Sequence, residues 1–260
     1  MADTDRPVAL VTGASMGIGE EFARQLAARD HDLVLVARDS GRLEALAKEL
    51  RDGRGVNVEV LPADLTDDAQ LAGVETRARN VDLLINNAGF GTFGKFVELD
   101  LDTEMRELEL NVGALVRLTH AAARGMAERG KGGILNVSSL AGFQPGPLNA
   151  TYSATKAYVT SFTEAVHEEM TGTGVAISVL CPGFTRTGFQ ETASAPANDV
   201  PSFMWQMPPE VVKAGLDGVA KNKAIIVPGT LNRVLGTFSS MSPHALTRRI
   251  SGEILKRAQR

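Results

Sequence analysis

Cysteine is almost missing: Cys181 stands alone among 260 residues, so neither an intramolecular disulfide nor a cysteine-built zinc cluster can form. The four histidines, His31, His120, His167 and His244, are scattered, none at metal-ligand spacing from another, and no metal site is expected. A surplus of one charge is lacking too, since 27 Lys and Arg against 31 Asp and Glu leave a formal net charge of −4. Neutralising phosphates requires excess basic side chains, so no general affinity for nucleic acid or anionic lipid is expected and any anion site must be local. No segment approaches the roughly 18 consecutive apolar residues of a membrane span. The opening MADTDRPVAL is acidic and lacks the basic and apolar regions of a signal peptide. These absences leave a cytoplasmic enzyme or binding protein as the simplest class.

The chain does hold 43% hydrophobic residues, with no low-complexity tract or evident repeat, which excludes disordered and fibrous architectures. One helix-covered α/β sheet can bury a chain of this length, so a single domain over 1–260 is expected. Short β-branched apolar runs recur at 8–11, 33–36, 57–61, 83–85, 133–137, 176–181 and 224–227, each of strand length. Helical spacing fills 18–28, 42–50, 67–79, 103–129 and 152–170 between them. Strand and helix in alternation mean a mostly parallel sheet. Because the strands are almost continuously apolar, both faces should be covered, giving a doubly wound, Rossmann-like α/β fold of three layers.

Two stretches break the alternation. In 190–209, Pro196, Pro201, Pro208 and Pro209 interrupt any period while Phe203, Met204, Trp205 and Met207 add apolar bulk, and a long loop of this kind reads as a substrate lid. The segment 231–260 carries six basic residues, Arg233, Arg248, Arg249, Lys256, Arg257 and Arg260, against Glu253 alone. This basic C-terminal extension reads as a solvated helical tail, an oligomer contact or a weak membrane-surface element.

Strand 8–11 runs directly into Thr12-Gly13-Ala14-Ser15-Met16-Gly17-Ile18-Gly19 and then into a helix. Glycines allow a tight turn and close backbone approach, and the N–H groups and dipole of a helix N-terminus attract pyrophosphate. On this motif alone a purely structural turn remains open. Glycines at 13, 17 and 19 do not make the general GxGxxG fingerprint. They make TGxxxGxG, which resembles the short-chain dehydrogenase/reductase family, and from here the resemblance runs almost end to end. It implies a nicotinamide dinucleotide bound by Gly13, Ser15, Met16, Gly17, Ile18 and Gly19.

The second strand ends Val36-Ala37-Arg38, where an acidic residue would select a free 2′-hydroxyl. A guanidinium offers planar, charge-assisted donors to a 2′-phosphate instead, so NADP(H) is expected, with Arg42 assisting, Asp39 opposing and no basic side chain at Met16. By resemblance Asp64 and Leu65 meet the adenine, while Asn87, Ala88 and Gly89 of the NNAG string pass beside the ribose and nicotinamide. The PG motif after the sixth strand implies Pro182, Gly183, Thr185 and Thr187 as holders of the nicotinamide carboxamide. Cys181 reads as a packed, inert thiol.

Tyr152 and Lys156, four apart on a helix, share one face, and a nearby ammonium favours phenolate. Ser139 lies 13 residues before Tyr152, and strand alternation lets only one of Ser138 and Ser139 face it, the spacing choosing Ser139. The resemblance implies Tyr152 as general acid/base and Lys156 as its tuner and a ribose ligand. It implies Ser139 as holder of the substrate oxygen and Asn111 as support of a water relay. Asn111 reads equally as a cap or a satisfied core amide. Phe90, Phe93, Phe96 and Phe143 are pocket or core candidates. The expected activity is hydride transfer between NADP(H) and a carbonyl/alcohol of a lipophilic small molecule, by a homodimer or homotetramer. A 3-oxoacyl thioester reductase and a non-catalytic NADP(H)-responsive regulator are the competing readings.

Overall fold

In a computed structural model of the chain, residues 6–187 and 201–241 are described. All seven expected strands form: β1 Val8–Thr12, β2 Asp32–Ala37, β3 Val58–Pro62, β4 Leu83–Asn86, β5 Gly132–Val137, β6 Val175–Leu180 and β7 Ile225–Ile226. They make one parallel sheet in the order β3-β2-β1-β4-β5-β6-β7. Eight helices accompany them among the described residues: α1 Gly17–Ala27, α2 Ser40–Arg54, α3 Asp68–Ala78, α4 Leu101–Leu108, α5 Leu115–Arg129, α6 Ala150–Glu169, α7 Pro208–Val219 and α8 Thr230–Met241.

Most of the strands' alternating apolar side chains divide between two cores, and Val179 of β6 joins a smaller third cluster. Ala9, Val11, Leu33 and Leu35 join Phe22 and Leu26 of α1 and Val212 and Leu216 of α7 on one face. Leu10, Val34, Leu84 and Ile134 join Val74 of α3 and Leu118 and Met126 of α5 on the other. Two buried faces are what the near-continuous apolar runs require. Among the described residues no helix is long and apolar enough to cross a membrane.

Three sequence expectations change. The single helix over 103–129 is α4, a π-helical stretch Glu109–Ala114, and α5. The π turn, which no periodicity distinguishes, carries Asn111. The lid over 190–209 ends earlier than its prolines imply, because Pro208 and Pro209 occupy the first turn of α7, where a missing N–H costs nothing. Residues 188–200 lie outside the described part. Of the basic extension, residues 231–241 belong to α8, with Arg233 exposed and donating to the Val227 carbonyl, and its other basic residues lie outside the described part.

Candidate active site

The strand order reverses between β1 and β4, and the crevice above their C-terminal ends is where sheets of this topology receive ligands. Thr12, the last residue of β1, is a site residue that the glycine pattern did not single out. Its hydroxyl accepts from the Asn87 and Ala88 N–H groups, each at 3.0 Å, and Asn87 Nδ2 donates to the Thr12 carbonyl at 3.0 Å. The two loops that flank the crevice are thus tied to each other.

Gly13 turns the chain with φ +65°, and a Cβ on Gly19 would come within 2.1 Å of the Gly13 carbonyl oxygen. Neither place admits a side chain. Asp39, Asp67 and Asp100 cap α2, α3 and α4 by accepting from their first-turn N–H groups, whereas Met16 begins α1 with no side chain on its donors. An uncapped helix end facing the crevice presents N–H groups and a positive dipole, which suits a dinucleotide pyrophosphate. Ser15 and Ile18 are half-buried in the same turn. Thr187 reaches this turn from the loop after β6, its Cβ 3.2 Å from where a Gly17 Cβ would stand. In that loop Thr185 is buried and donates to the Gly183 carbonyl at 3.1 Å, while the Pro182 carbonyl accepts from Leu140 N–H at 2.9 Å.

Directly after β2, Arg38 is exposed and belongs to no ion pair among the described residues, whereas Arg42 pairs with Asp39 at 3.4 Å. Partial burial opposes ionisation of Asp64. Hydrogen bonds from Thr66, with Arg38 and Arg106 at longer range, outweigh it and hold the carboxyl below its ordinary range. The Leu65 side chain is buried in the apolar layer.

Ser139 follows β5, and its hydroxyl accepts from Ala141 N–H at 3.1 Å and is hydrogen-bonded to the Tyr152 phenol. Ser138 points the other way, donating to the Lys156 carbonyl at 2.7 Å and meeting the Thr160 hydroxyl at 2.8 Å. Alternation at the strand end therefore separates the two serines as the spacing required. Lys156 is buried, its Nζ donating to the Val137 carbonyl at 3.0 Å and lying 5.5 Å from the centre of the Tyr152 ring. The expectation of a lowered phenol fails in this state. Burial pushes Tyr152 up to about 12, with Glu107 adding to the rise and the Ser139 hydrogen bond opposing it. Burial likewise brings Lys156 down to about 8 against the pull of Glu107. Low polarity penalises both charged forms, and the helical spacing that joined the pair could not register it.

Asn111 is buried in the π turn and braces the loop after β4: Oδ1 accepts from Phe90 N–H at 3.1 Å, and Nδ2 donates to the Phe90 carbonyl at 2.8 Å and to Thr155 Oγ1 at 3.2 Å. Both donors are spent and one acceptor lone pair remains. A Cβ on Gly89 would lie 2.8 Å from that oxygen and 3.6 Å from Lys156 Nζ, so Gly89, Asn111 and Lys156 meet at one point. Phe90 and Phe93 are half-buried in the loop after β4, Phe143 packs against a smaller apolar cluster of Leu115, Val159, Val179 and Cys181, and Phe96 is exposed and belongs to no core. Residues 205 and 206, at the described end of the 190–209 segment, pack against the loop after β6. Gln206 N–H donates to the Phe184 carbonyl at 2.8 Å, the Phe184 and Trp205 rings lie 5.7 Å apart, and Arg186 stands over Trp205 at 5.4 Å. The Cys181 thiol is buried and pushed up to about 12 by that burial, an inert packing group.

The family profile described as short chain dehydrogenase matches residues 7–198, from β1 to beyond the loop after β6. The chain belongs to the short-chain dehydrogenases. Among solved structures, this short-chain dehydrogenase is similar to one from Sphingobium yanoikuyae in complex with NADPH. The two are 38% identical with a TM-score of 0.82, over 92% of this chain and 97% of that one. It is also similar to the bulky-bulky ketone specific alcohol dehydrogenase of Comamonas testosteroni, at 35% identity and TM-score 0.79 over 93% and 97% of the two chains. Among curated relatives, the ketoacyl reductase HetN of Nostoc sp. is 36% identical over 69% of this chain, a match that spans 64% of HetN itself. The very-long-chain 3-oxoacyl-CoA reductase of Rattus norvegicus is 31% identical over 87% of this chain and 75% of that protein.

Proposed function

We propose that this oxidoreductase reduces the carbonyl of a bulky, mostly apolar small molecule with NADPH, Tyr152 serving as the general acid. The observation that carries the reading is the half-buried Tyr152 phenol, hydrogen-bonded to Ser139 and backed by buried Lys156, beside the crevice that the α1 N-terminus faces. The bound nicotinamide supplies the hydride. Ser139 holds the substrate oxygen and Tyr152 gives it a proton. Lys156 would bond the nicotinamide ribose and pass a replacement proton to Tyr152, and Asn111 would hold, with its remaining lone pair, the water that returns a proton to Lys156. Gly13, Ser15, Met16, Gly17, Ile18 and Gly19 hold the pyrophosphate. Asp64 and Leu65 border the adenine, and Asn87, Ala88 and Gly89 pass beside the ribose. Pro182, Gly183, Thr185 and Thr187 hold the carboxamide.

Half-buried Phe90, Phe93 and Trp205 are read as the apolar lining of the entrance, and the bulky-ketone alcohol dehydrogenase among the structural relatives supports the same substrate class. A 3-oxoacyl thioester is the second reading, favoured by the two reductases named above and by Arg186, an exposed cation at the rim beside Trp205. NADPH oxidation across a panel of aryl and alicyclic ketones and 3-oxoacyl thioesters of graded length decides between them. Turnover at least tenfold higher on bulky ketones is expected, and selective turnover of thioesters would replace the first reading by the second. Segment 190–209 is proposed as the substrate lid. A cytoplasmic homo-oligomer belongs to the same reading, supported by the exposed Leu101, Met105 and Leu108 at helical spacing on α4.

The cofactor is NADP(H), with the 2′-phosphate at Arg38, a reading supported by the NADPH complex of the Sphingobium yanoikuyae relative. Arg38→Asp removes one charge-assisted contact and installs a repulsive one. The ratio of NADPH to NADH affinity is expected to fall by about 10- to 100-fold, measured by fluorescence titration of each nucleotide. An unchanged ratio would place the 2′-phosphate elsewhere.

A further inference from the structure

Behind the phenol lies a pair of carboxyl groups that the proposed reaction does not use. Glu104 and Glu107 of α4 are both buried, 3% and 0% exposed, which is rare for an acid without a cation in contact. They share Thr92. The Thr92 hydroxyl is within bonding distance of Glu104 Oε1 and of Glu107 Oε2, and its N–H donates to Glu107 Oε2 at 3.1 Å. Glu104 Oε2 accepts from Thr151 Oγ1, and Asn149 Nδ2 donates to the Thr92 carbonyl. Glu107 Oε1 is buried with no hydrogen-bond partner.

Two relations connect Glu107 to the reacting groups. Glu107 and Asn111 are four apart on one continuous helical path and grip the same segment, Asn111 at Phe90 and Glu107 at Thr92. Gly91 lies between those two grips, and a Cβ placed on it would meet Tyr152 Cδ2 at 2.8 Å, so the segment is pressed directly on the phenol ring. The charges facing Glu107 are Glu104 on its own helix and Lys156 on α6, with the Tyr152 phenol also within electrostatic reach. Cys181, the residue after β6 and neutral in its burial, is the further group that faces Lys156.

We propose that Glu107 is a positioning residue for the Tyr152–Lys156 pair, a buried carboxyl that braces the segment packed on the phenol ring and whose charge biases the proton affinity of both groups. The proposal rests on the assignment of Tyr152 as the acid/base. A buried carboxylate oxygen with no donor is costly, and protonation, which removes the charge, lessens that cost. Burial, with Glu104 adding its charge, brings this carboxyl up to about 7 against the hydrogen bonds of Thr92 and the pull of Lys156. Glu107 therefore changes charge across neutrality. Once ionised, it favours the ammonium of Lys156 and opposes the phenolate of Tyr152.

Glu107→Gln keeps the shape and the bond from Thr92 N–H while removing the titration. In alcohol oxidation, which needs the phenolate, the rising limb of the kcat/KM profile is expected to move to lower pH by on the order of one unit, the effect of one partly screened charge. A second readout needs neither cofactor nor substrate. A carboxyl whose folded pKa lies near 7, above the ordinary 4.5, binds in the folded state a proton that the unfolded chain releases. Stability should therefore fall as pH rises from 4.5 to 7 in the parent protein, and that contribution should vanish in Glu107→Gln. Thr92→Val, which retains the N–H donor but loses the hydroxyl, should move the same feature to higher pH. It covers the case in which Glu107→Gln fails to fold. Rate and stability profiles of either folded variant that superimpose on the parent's would overturn the proposal. Failure of the underlying reading is separately visible, since Tyr152→Phe would then retain turnover.

Discussion

Tyr152→Phe is expected to lower kcat for carbonyl reduction by about 10²- to 10⁴-fold, the usual contribution of a positioned general acid. The ring that packs on Gly91 is retained and only the hydroxyl is lost, so neither the fold nor the NADPH dissociation constant should change appreciably. Ser139 keeps its bond from Ala141 N–H and can still hold the substrate oxygen. Stopped-flow measurement of NADPH oxidation, with nucleotide titration alongside, separates the two quantities. A variant that keeps more than a tenth of parental kcat would remove Tyr152 from the reaction.

Lys156→Met is expected to cost as much in kcat, by about 10²-fold or more, and to weaken NADPH binding as well. The second effect distinguishes it from Tyr152→Phe, because Lys156 is assigned to the ribose as well as to the phenol. Thermal stability should respond in the opposite sense. Burial depresses the ammonium to about 8 from 10.5, so between those values the unfolded chain binds a proton that the folded chain does not. Stability of the parent protein therefore gains from this group as pH rises from 8 to 10.5, the burial cost being present in full below 8. Methionine fills similar volume without a charge to desolvate, so the slope should disappear and stability at neutral pH should hold or rise. Activity lost together with stability would point to a structural role for Lys156 instead.

The two variants probe a pair whose electrostatics the helical spacing could not describe. An ammonium four residues away on a helix reads as a group that lowers the phenol. Inside the fold its Nζ is bonded to the Val137 carbonyl, Lys156 is buried and Tyr152 half-buried, and desolvation outweighs the other influences, so each neutral form is favoured.

Periodicity and local stereochemistry alone determined much of this short-chain dehydrogenase. Continuous apolar runs required seven strands covered on both faces, glycines at 13, 17 and 19 required a tight turn into a helix, and alternation at the end of β5 set Ser139 apart from Ser138. Those features depend on neighbours within a few residues, whose spacing is written in the chain. Only the tertiary structure decided the π turn at Asn111, the stitch that Thr12 makes to Asn87 and Ala88, the start of α7 at Pro208, and the depth of Glu104 and Glu107. Nothing in the local sequence marks these two carboxyls for burial. They become buried because Thr92 and Thr151, 15 residues upstream of Glu107 and 47 beyond Glu104, fold over them. Long-range closure of that kind sets burial, burial sets which charges survive, and no local pattern encodes either.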